Sequence, residues 1–313
     1  MANGKWYTRW WFVAPVLVLV LLAGTALLRM GGIEVVENGA ALRAPGEGPA
    51  EFTILTYNVQ ARPWFDDARH KFKYISPLTN RFDICAFQEC FKQHSLLWAA
   101  AEHPVKVYHS ALRNPFKIVG SGLGILGKFP LVATDEIRYA DAGEFQNWPA
   151  SKGVLMARFN VNGMMLDVYT THIAAGRKPA SRRAKPAQTA EIVEFVRRAS
   201  PPENAVILLG DFNMRPSRGP EDKEANKDNP KVFAFDRMRD ALGLRDASDE
   251  VNGPTGREID RILFRPGKGH AMTPLTWQQD DPAFVDPEGK PLSDHAPVFV
   301  KFRMETAPAS AGV

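Results

Sequence analysis

Apolar runs of eight or nine residues recur along the chain from residue 52: FTILTYNV (52–59), FDICAFQE (82–89), GLGILGKFP (122–130), GVLMARFNV (153–161), MLDVYTTHI (165–173), AVILLGDF (205–212), IDRILFRP (259–266) and HAPVFVKFR (295–303). Rich in β-branched and aromatic residues and punctuated by Gly, Pro, Asn and Asp, they predict strands. Between them, DDARHKFKYISPL (66–78), KQHSLLWAAAEH (92–103), AKPAQTAEIVEFVRRA (184–199) and KVFAFDRMRDALG (231–243) carry apolar residues at helical spacing. Strands mixed with helices in this way predict sheets covered by helices, and no internal repeat interrupts them. Segments 174–187 and 214–230 are rich in Pro, Gly and charge and predict long surface loops.

The N-terminus follows a different pattern. Trp10 to Leu28 is a run of 19 uncharged residues, about 28 Å of helix and one hydrocarbon thickness. Lys5 and Arg9 precede it, Arg29 closes it, and Trp6, Tyr7, Trp10, Trp11 and Phe12 cluster where an interfacial aromatic belt would lie. The pattern predicts a cytoplasmic N-terminus (1–9), a transmembrane signal-anchor (10–28), a Gly-, Pro- and Ala-rich linker (29–50), a folded domain (51–303) outside the cytoplasm and a disordered tail (304–313). A cleaved signal peptide is the competing expectation, because Gly24 and Ala26 form a small-x-small site, although the run exceeds the usual apolar length of such peptides. Either way the domain is exported, and a monomer is expected.

Charge narrows the partners. The net charge is +4, from 39 basic and 35 acidic residues. Setting aside Lys5, Arg9 and Arg29 leaves 36 against 35, so no global nucleic-acid-binding charge remains. Cys85 and Cys90 would stand about 16 Å apart in an extended strand, beyond disulfide reach.

Polar groups close most of the apolar runs: Asn58 after ILTY, Gln88 and Glu89 after ICAF, His172 after DVYTT, Asp211 and Asn213 after VILLG. The triplet Ser293, Asp294, His295 opens the last run. Rigid strands whose ends carry carboxylate, carboxamide and imidazole build a polar site. Glu89, Asp294 and Asn58 form a hard oxygen set suited to Mg²⁺ or Mn²⁺ rather than zinc, and two imidazoles with no Cys in the set keep it away from thiolate chemistry. A divalent ion with histidines and Asp/Asn fits phosphate-ester hydrolysis, in which metal and His172 neutralise phosphoryl oxygens while a general base activates water. Neither a serine nucleophile elbow nor a Gly-rich Lys-Ser/Thr loop is present.

In the order TYNVQ, QE, TTHIAA, GDFN, EIDRIL, SDH, the chain resembles the endonuclease/exonuclease/phosphatase superfamily, the deoxyribonuclease-I-like fold of nucleases, inositol-polyphosphate phosphatases and neutral sphingomyelinases. The resemblance implies a four-layer α/β sandwich of two mostly antiparallel sheets flanked by helices. It implies Glu89 as principal Mg²⁺ ligand with Asn58 and Asp294 nearby. It also implies Asp211 orienting or deprotonating water, Asn213 on the phosphate, and His172 and His295 stabilising the transition state, with Asp260 holding the His295 ring. The role of base is shared between Asp211 and His295.

SGLGILGKFP followed by ASKGVLMARF resembles the neutral-sphingomyelinase branch, in which a Lys-Gly pair, here Lys152 and Gly153, lies near the substrate. A basic loop follows His172 with Arg177, Lys178, Arg182, Arg183 and Lys185 and no acid among them, a feature that could attract anionic head groups. A tethered active site facing a two-dimensional substrate favours a phospholipid diester of the sphingomyelin type. An exported nuclease is the alternative, and a binding protein that has lost catalysis is the third.

Overall fold

The computed structural model describes residues 13–19, 32–39, 42–43, 46, 48–109, 119–144, 147, 149–217, 221, 224, 230–254 and 258–307. The span 10–28 expected to cross a membrane falls outside these apart from helical residues 13–19. Among the described residues no helix is long and apolar enough to cross one.

The described strands form two sheets. Spatially the first runs β1 (Ile33–Glu37), β4 (Val105–His109), β5 (Gly124–Gly127), β3 (Ile84–Cys90), β2 (Ala50–Ala61), β13 (Val298–Thr306) and β12 (His270–Gln279). The second runs β10 (Arg245–Asp246), β11 (Asp260–Arg265), β9 (Ala205–Asp211), β8 (Met164–His172), β7 (Gly153–Val161) and β6 (Leu131–Arg138). Each sheet is antiparallel except for one parallel pair, β2 with β3 and β8 with β9. A parallel pair ends both of its strands at the same edge, so these two pairs are where side chains from separate segments can converge.

Strand parity decides which side chains face the space between the sheets. Ile54 on β2, Ile84 and Ala86 on β3, Leu166 and Val168 on β8, Ile207 and Leu209 on β9 and Ile262 on β11 fill that space as a single core. Counting on by twos, the same face receives Asn58, Gln88, His172 and Asp211, and counting back on β11 it receives Asp260. The opposite parity packs under helices. Leu55, Tyr57 and Phe87 meet Phe72 and Ile75 of α1 (Ala68–Leu78) and Leu97 of α2 (His94–Leu97). Tyr169, Leu208 and Leu263 meet Ile192 and Phe195 of α3 (Pro179–Ala199) and Phe235 and Met238 of α4 (Pro230–Ala241). The expected layering of helices outside two sheets is thus observed, with a short α5 (Ala247–Asn252) at one end.

Several boundaries differ from expectation. The linker 29–50 contributes β1, which pairs antiparallel with β4 at the sheet edge. The tail expected from 304 begins inside β13, which continues to Thr306. The helix expected over 92–103 is only His94–Leu97. The basic loop expected over 174–187 is helical from Pro179, a residue whose fixed φ suits a first helical turn.

Candidate active site

The polar centre is assembled across the seam of the sandwich. On the first sheet, Asn58 lies beside Gln88 in register. On the second, His172 and Asp260 both lie beside Asp211. Beneath them Gln88 Nε2 donates to Thr56 Oγ1 at 3.1 Å and to Thr170 Oγ1 at 2.9 Å, so one carboxamide ties the two sheets together.

Glu89 reaches this centre by breaking the strand alternation. Its φ of 57° turns a side chain that parity would send under the helices. Gly210, with φ 133°, has backbone so close to β8 that a Cβ there would stand 2.1 Å from Thr171 O, so only glycine fits before Asp211. Asn213 is also left-handed, at φ 48°, and its N–H donates to Asp211 Oδ1 at 2.9 Å.

Asn58 Nδ2 donates to Asp211 Oδ2 at 3.2 Å and to Glu89 Oε1 at 3.3 Å, linking carboxylates of opposite sheets. Its Oδ1 accepts from Gln60 N–H at 3.0 Å, and a turned amide would present that oxygen to the centre instead. Glu89 Oε2 is buried without a hydrogen-bond partner, and burial raises the pKa of this carboxyl. A buried oxygen with no donor is the donor set's own signature of a hard cation, and carboxylate plus carboxamide suits Mg²⁺ or Mn²⁺. Asp294 is 59% exposed, with Oδ1 4.0 Å from His295 Nε2, and therefore stands at the rim.

Asp211 is enclosed. Burial and the charge of Asp260 raise its pKa to about 6. His172 Nε2 lies 3.4 Å and His295 Nε2 3.9 Å from its Oδ2. Burial works to lower the pKa of His295, but the hydrogen bond and charge of Asp260, with Asp211 and Asp294, raise it to about 9. The Asp260 Oδ2 to His295 Nδ1 distance is 2.7 Å, which fixes the ring and leaves Nε2 facing the centre. Asp211, Asp260 and His295 each place a ligand-capable atom within 4.8 Å of the others. Asp260 Oδ2 and His295 Nδ1 hold each other, whereas Asp260 Oδ1, like Glu89 Oε2, is buried without a hydrogen-bond partner, so each of the two carboxylates offers one oxygen that a cation could use.

Lys152 lies below His172, its Nζ 2.8 Å from His172 Nε2, and it donates to Ile173 O at 3.2 Å. Burial lowers its pKa to about 8. Burial, with the charges of Lys152 and His295, holds His172 well below the ordinary histidine value. His172 is thus a neutral ring and Lys152 the nearby cation, a division of charge that the motif alone does not convey. Gly153 has a backbone reason of its own: a Cβ there would lie 2.0 Å from Ile137 O, so glycine lets β6 and β7 close.

Lys185 was expected in the basic loop and is instead a buried α3 residue. Its Nζ donates to Asn213 O at 2.8 Å and to Gly176 O at 3.2 Å, bracing the turn that carries Asn213. Ser293 Oγ donates to Asn58 O at 2.6 Å and accepts from His295 N–H, stitching the segment that leads into β13 to β2. Nothing in the local composition distinguishes Lys185 from its exposed neighbours; the helical spacing to buried Gln188 and Ile192 is the signal that could have.

A two-sheet sandwich that gathers carboxylate, carboxamide, imidazole and ammonium groups at the ends of its parallel pairs has the make-up of a divalent-cation centre on an α/β scaffold. The sequence profile of the Endonuclease/Exonuclease/phosphatase family matches residues 55–295, and the chain belongs to that family. It is 27% identical over 275 residues to a sphingomyelinase of Mycobacterium tuberculosis, covering 80% of this chain and 52% of that protein. The chain spans about half the length of the curated sphingomyelinases it matches in this way. Its fold is similar to that of sphingomyelinase C from Streptomyces griseocarneus, with TM-score 0.57, 20% identity and coverage of 80% of this chain and 99% of that one. It is also similar to a beta toxin variant from Staphylococcus aureus with bound magnesium ions, at TM-score 0.57, 17% identity and coverage of 83% and 100%.

Proposed function

We propose that this chain is a divalent-cation-dependent phosphodiesterase that hydrolyses a phosphodiester of a phospholipid, sphingomyelin or a close analogue. The carrying observation is the partnerless Oε2 of Glu89 at the seam where Asp211, His172 and the Asp260–His295 pair converge. Glu89, with Asn58 and Asp294, would hold Mg²⁺ or Mn²⁺, which supplies positive charge to the phosphate oxygens and lowers the barrier to attack.

This chain's own groups do the rest. Asp211 accepts the proton of the attacking water at Oδ2, the oxygen that Asn58 orients. His295, held by Asp260, presents a protonated Nε2 that stabilises charge building on the phosphate and protonates the departing alkoxide. Lys152 adds a second buried positive charge through its contact with His172. Asn213 offers a carboxamide on the turn after Asp211, and its present donation to Ile173 O at 3.2 Å is readily exchanged for a phosphate oxygen.

The similarity to sphingomyelinases supports the lipid substrate, and the charge balance outside the N-terminus leaves no global cationic excess for nucleic acid. The apolar N-terminal run supports a single-pass anchor that holds a monomeric catalytic domain at the outer face of a membrane, where it meets lipid in two dimensions.

The test is a substrate panel of sphingomyelin vesicles, phosphatidylcholine vesicles and plasmid DNA, run with Mg²⁺ and then EDTA. Phosphocholine released only with Mg²⁺ is the expected result. Degraded DNA beside intact vesicles would move the assignment to a nuclease, and undiminished turnover in Glu89→Gln protein would remove the cation centre.

A further inference from the structure

Immediately beyond β2, three residues after Ala61, the chain exposes two aromatic rings side by side. Trp64 is 72% and Phe65 81% exposed, the most exposed large apolar side chains among the described residues. They are presented rather than loose. Arg62 grips Asp66 through Nε at 2.7 Å and Nη2 at 3.1 Å, and its own N–H donates to Asp66 Oδ2 at 2.9 Å. The N–H groups of Phe65 and Asp66 return to Arg62 O, and Trp64 takes the left-handed conformation at φ 67°. Lys92 Nζ caps one face of the Trp64 ring at 4.2 Å from its centre. The base of this turn borders the centre, because Ala61, just before Arg62, pairs with Cys90, the residue after Glu89.

We propose that Trp64 and Phe65 form a wedge that enters the headgroup–acyl boundary of a zwitterionic phospholipid bilayer and seats the mouth of the Glu89–His295 centre on the membrane. The proposal rests on the phospholipid reading above and adds to it the docking surface. A Trp beside a Phe, with a lysine over the indole, is the amphipathic combination that partitions to the interface between headgroups and chains. A turn already locked by an Arg–Asp pair loses little conformational freedom on insertion, so more of the apolar gain is kept. The surrounding charges select the partner. Asp66 and Asp67 follow the rings directly, while Arg62, Arg69 and Lys92 flank them. Mixed signs suit a zwitterionic headgroup, whereas a nucleic-acid backbone needs an unbroken cationic track beside rings that stack on bases.

The test uses the full chain. Replacing both rings (Trp64→Ala with Phe65→Ala) should lower turnover of sphingomyelin in phosphatidylcholine vesicles by about tenfold or more, set by the lost apolar area. Turnover of short-chain sphingomyelin dissolved as monomers should stay within about twofold, because neither ring touches the reacting groups. Independently, Phe65→Cys carries an environment-sensitive fluorophore, the native Cys85 and Cys90 being buried. Its emission should shift to the blue on adding the same vesicles, with or without EDTA, and attachment through the N-terminal segment alone leaves it unmoved. Equal vesicle turnover by the double variant, or a label that stays in water, overturns the wedge. A label that shifts with single-stranded DNA and not with vesicles overturns it in favour of a base-stacking surface. A label that shifts with vesicles while neither form of sphingomyelin is hydrolysed supports the wedge and removes the substrate assignment instead.

Discussion

Two carboxylates stand at matching strand ends, one on each sheet, and their surroundings are opposite. Glu89 has an oxygen without any donor and a backbone twisted out of its strand to aim it. Asp211, reached through Gly210, accepts from Asn58 Nδ2 and the Asn213 N–H and has two imidazoles beside it. An oxygen lacking donors suits a cation, and one that accepts from donors and has a pKa near neutral suits taking and returning a proton, the division of roles proposed above. The buried groups behind each half differ as well. Neutral His103, which hydrogen-bonds Phe82 O at 3.0 Å, backs β3, whereas the Lys185 ammonium backs the turn after β9.

The largest expected effects break this contrast directly. Glu89→Gln and Asp211→Asn should each lower kcat roughly 10³-fold, since each removes a group acting in the transition state. The Mg²⁺ concentration giving half-maximal rate should rise for Glu89→Gln and stay near the native value for Asp211→Asn. If Mg²⁺ titrations of the two variants coincide, the division of labour between the halves is wrong.

Next in size is Asp260→Asn, which leaves the His295 ring without its charged anchor. A loss of about 10²-fold in kcat is expected, with KM little changed. The His295 imidazole resonance should also titrate at lower pH in this variant, because the hydrogen bond and charge that hold its pKa near 9 are gone.

Lys185→Met tests the bracing of the Asp211 half alone. A fall of about tenfold in kcat is expected as the Asn213 turn loosens, with the Mg²⁺ midpoint unmoved. A shifted midpoint would tie Lys185 to the cation half and blur the comparison.

The smallest effect concerns the other half. Burial holds His103 at a pKa of about 4, below the unfolded value of 6.5, so the unfolded chain binds the extra proton first as pH falls. Stability from this group is therefore complete above pH 6.5 and is lost on acidification toward 4. Between pH 6.5 and 5.5 the loss of stability in urea unfolding should be about 1 kcal/mol smaller in His103→Gln than in the native chain, buried His172 contributing its own share to both. An identical slope in the two proteins would remove His103 from the acid sensitivity.

Much of the site was legible because strand parity and tip chemistry are both one-dimensional signals. Asn58, His172, Asp211 and Asp260 each lie an even number of residues from core-facing aliphatics, so the same alternation that predicts the strand points the side chain. Glu89 was found by chemistry against parity, since no sequence rule announces the positive φ that turns it inward. Strands β1, β6 and β12 escaped notice because few of their residues are buried, and β12 also contains Pro274 at a register shift. The basic segment after His172 was misjudged as loop because AGRKPASRRAKP is rich in cations and proline and carries no apolar periodicity, while packing of Ile192 and Phe195 farther along the same helix holds it on the second sheet.

The hydrogen bond from Asn58 to Asp211 crosses from one sheet to the other, so neither half of the sandwich owns a working centre. A slip of one layer over its neighbour by a single residue, about 3.3 Å, would separate the groups while leaving every ladder within each layer intact. Catalytic output is thereby a gauge of interlayer alignment, and it should vanish in mild denaturant while the amide circular dichroism of both sheets persists.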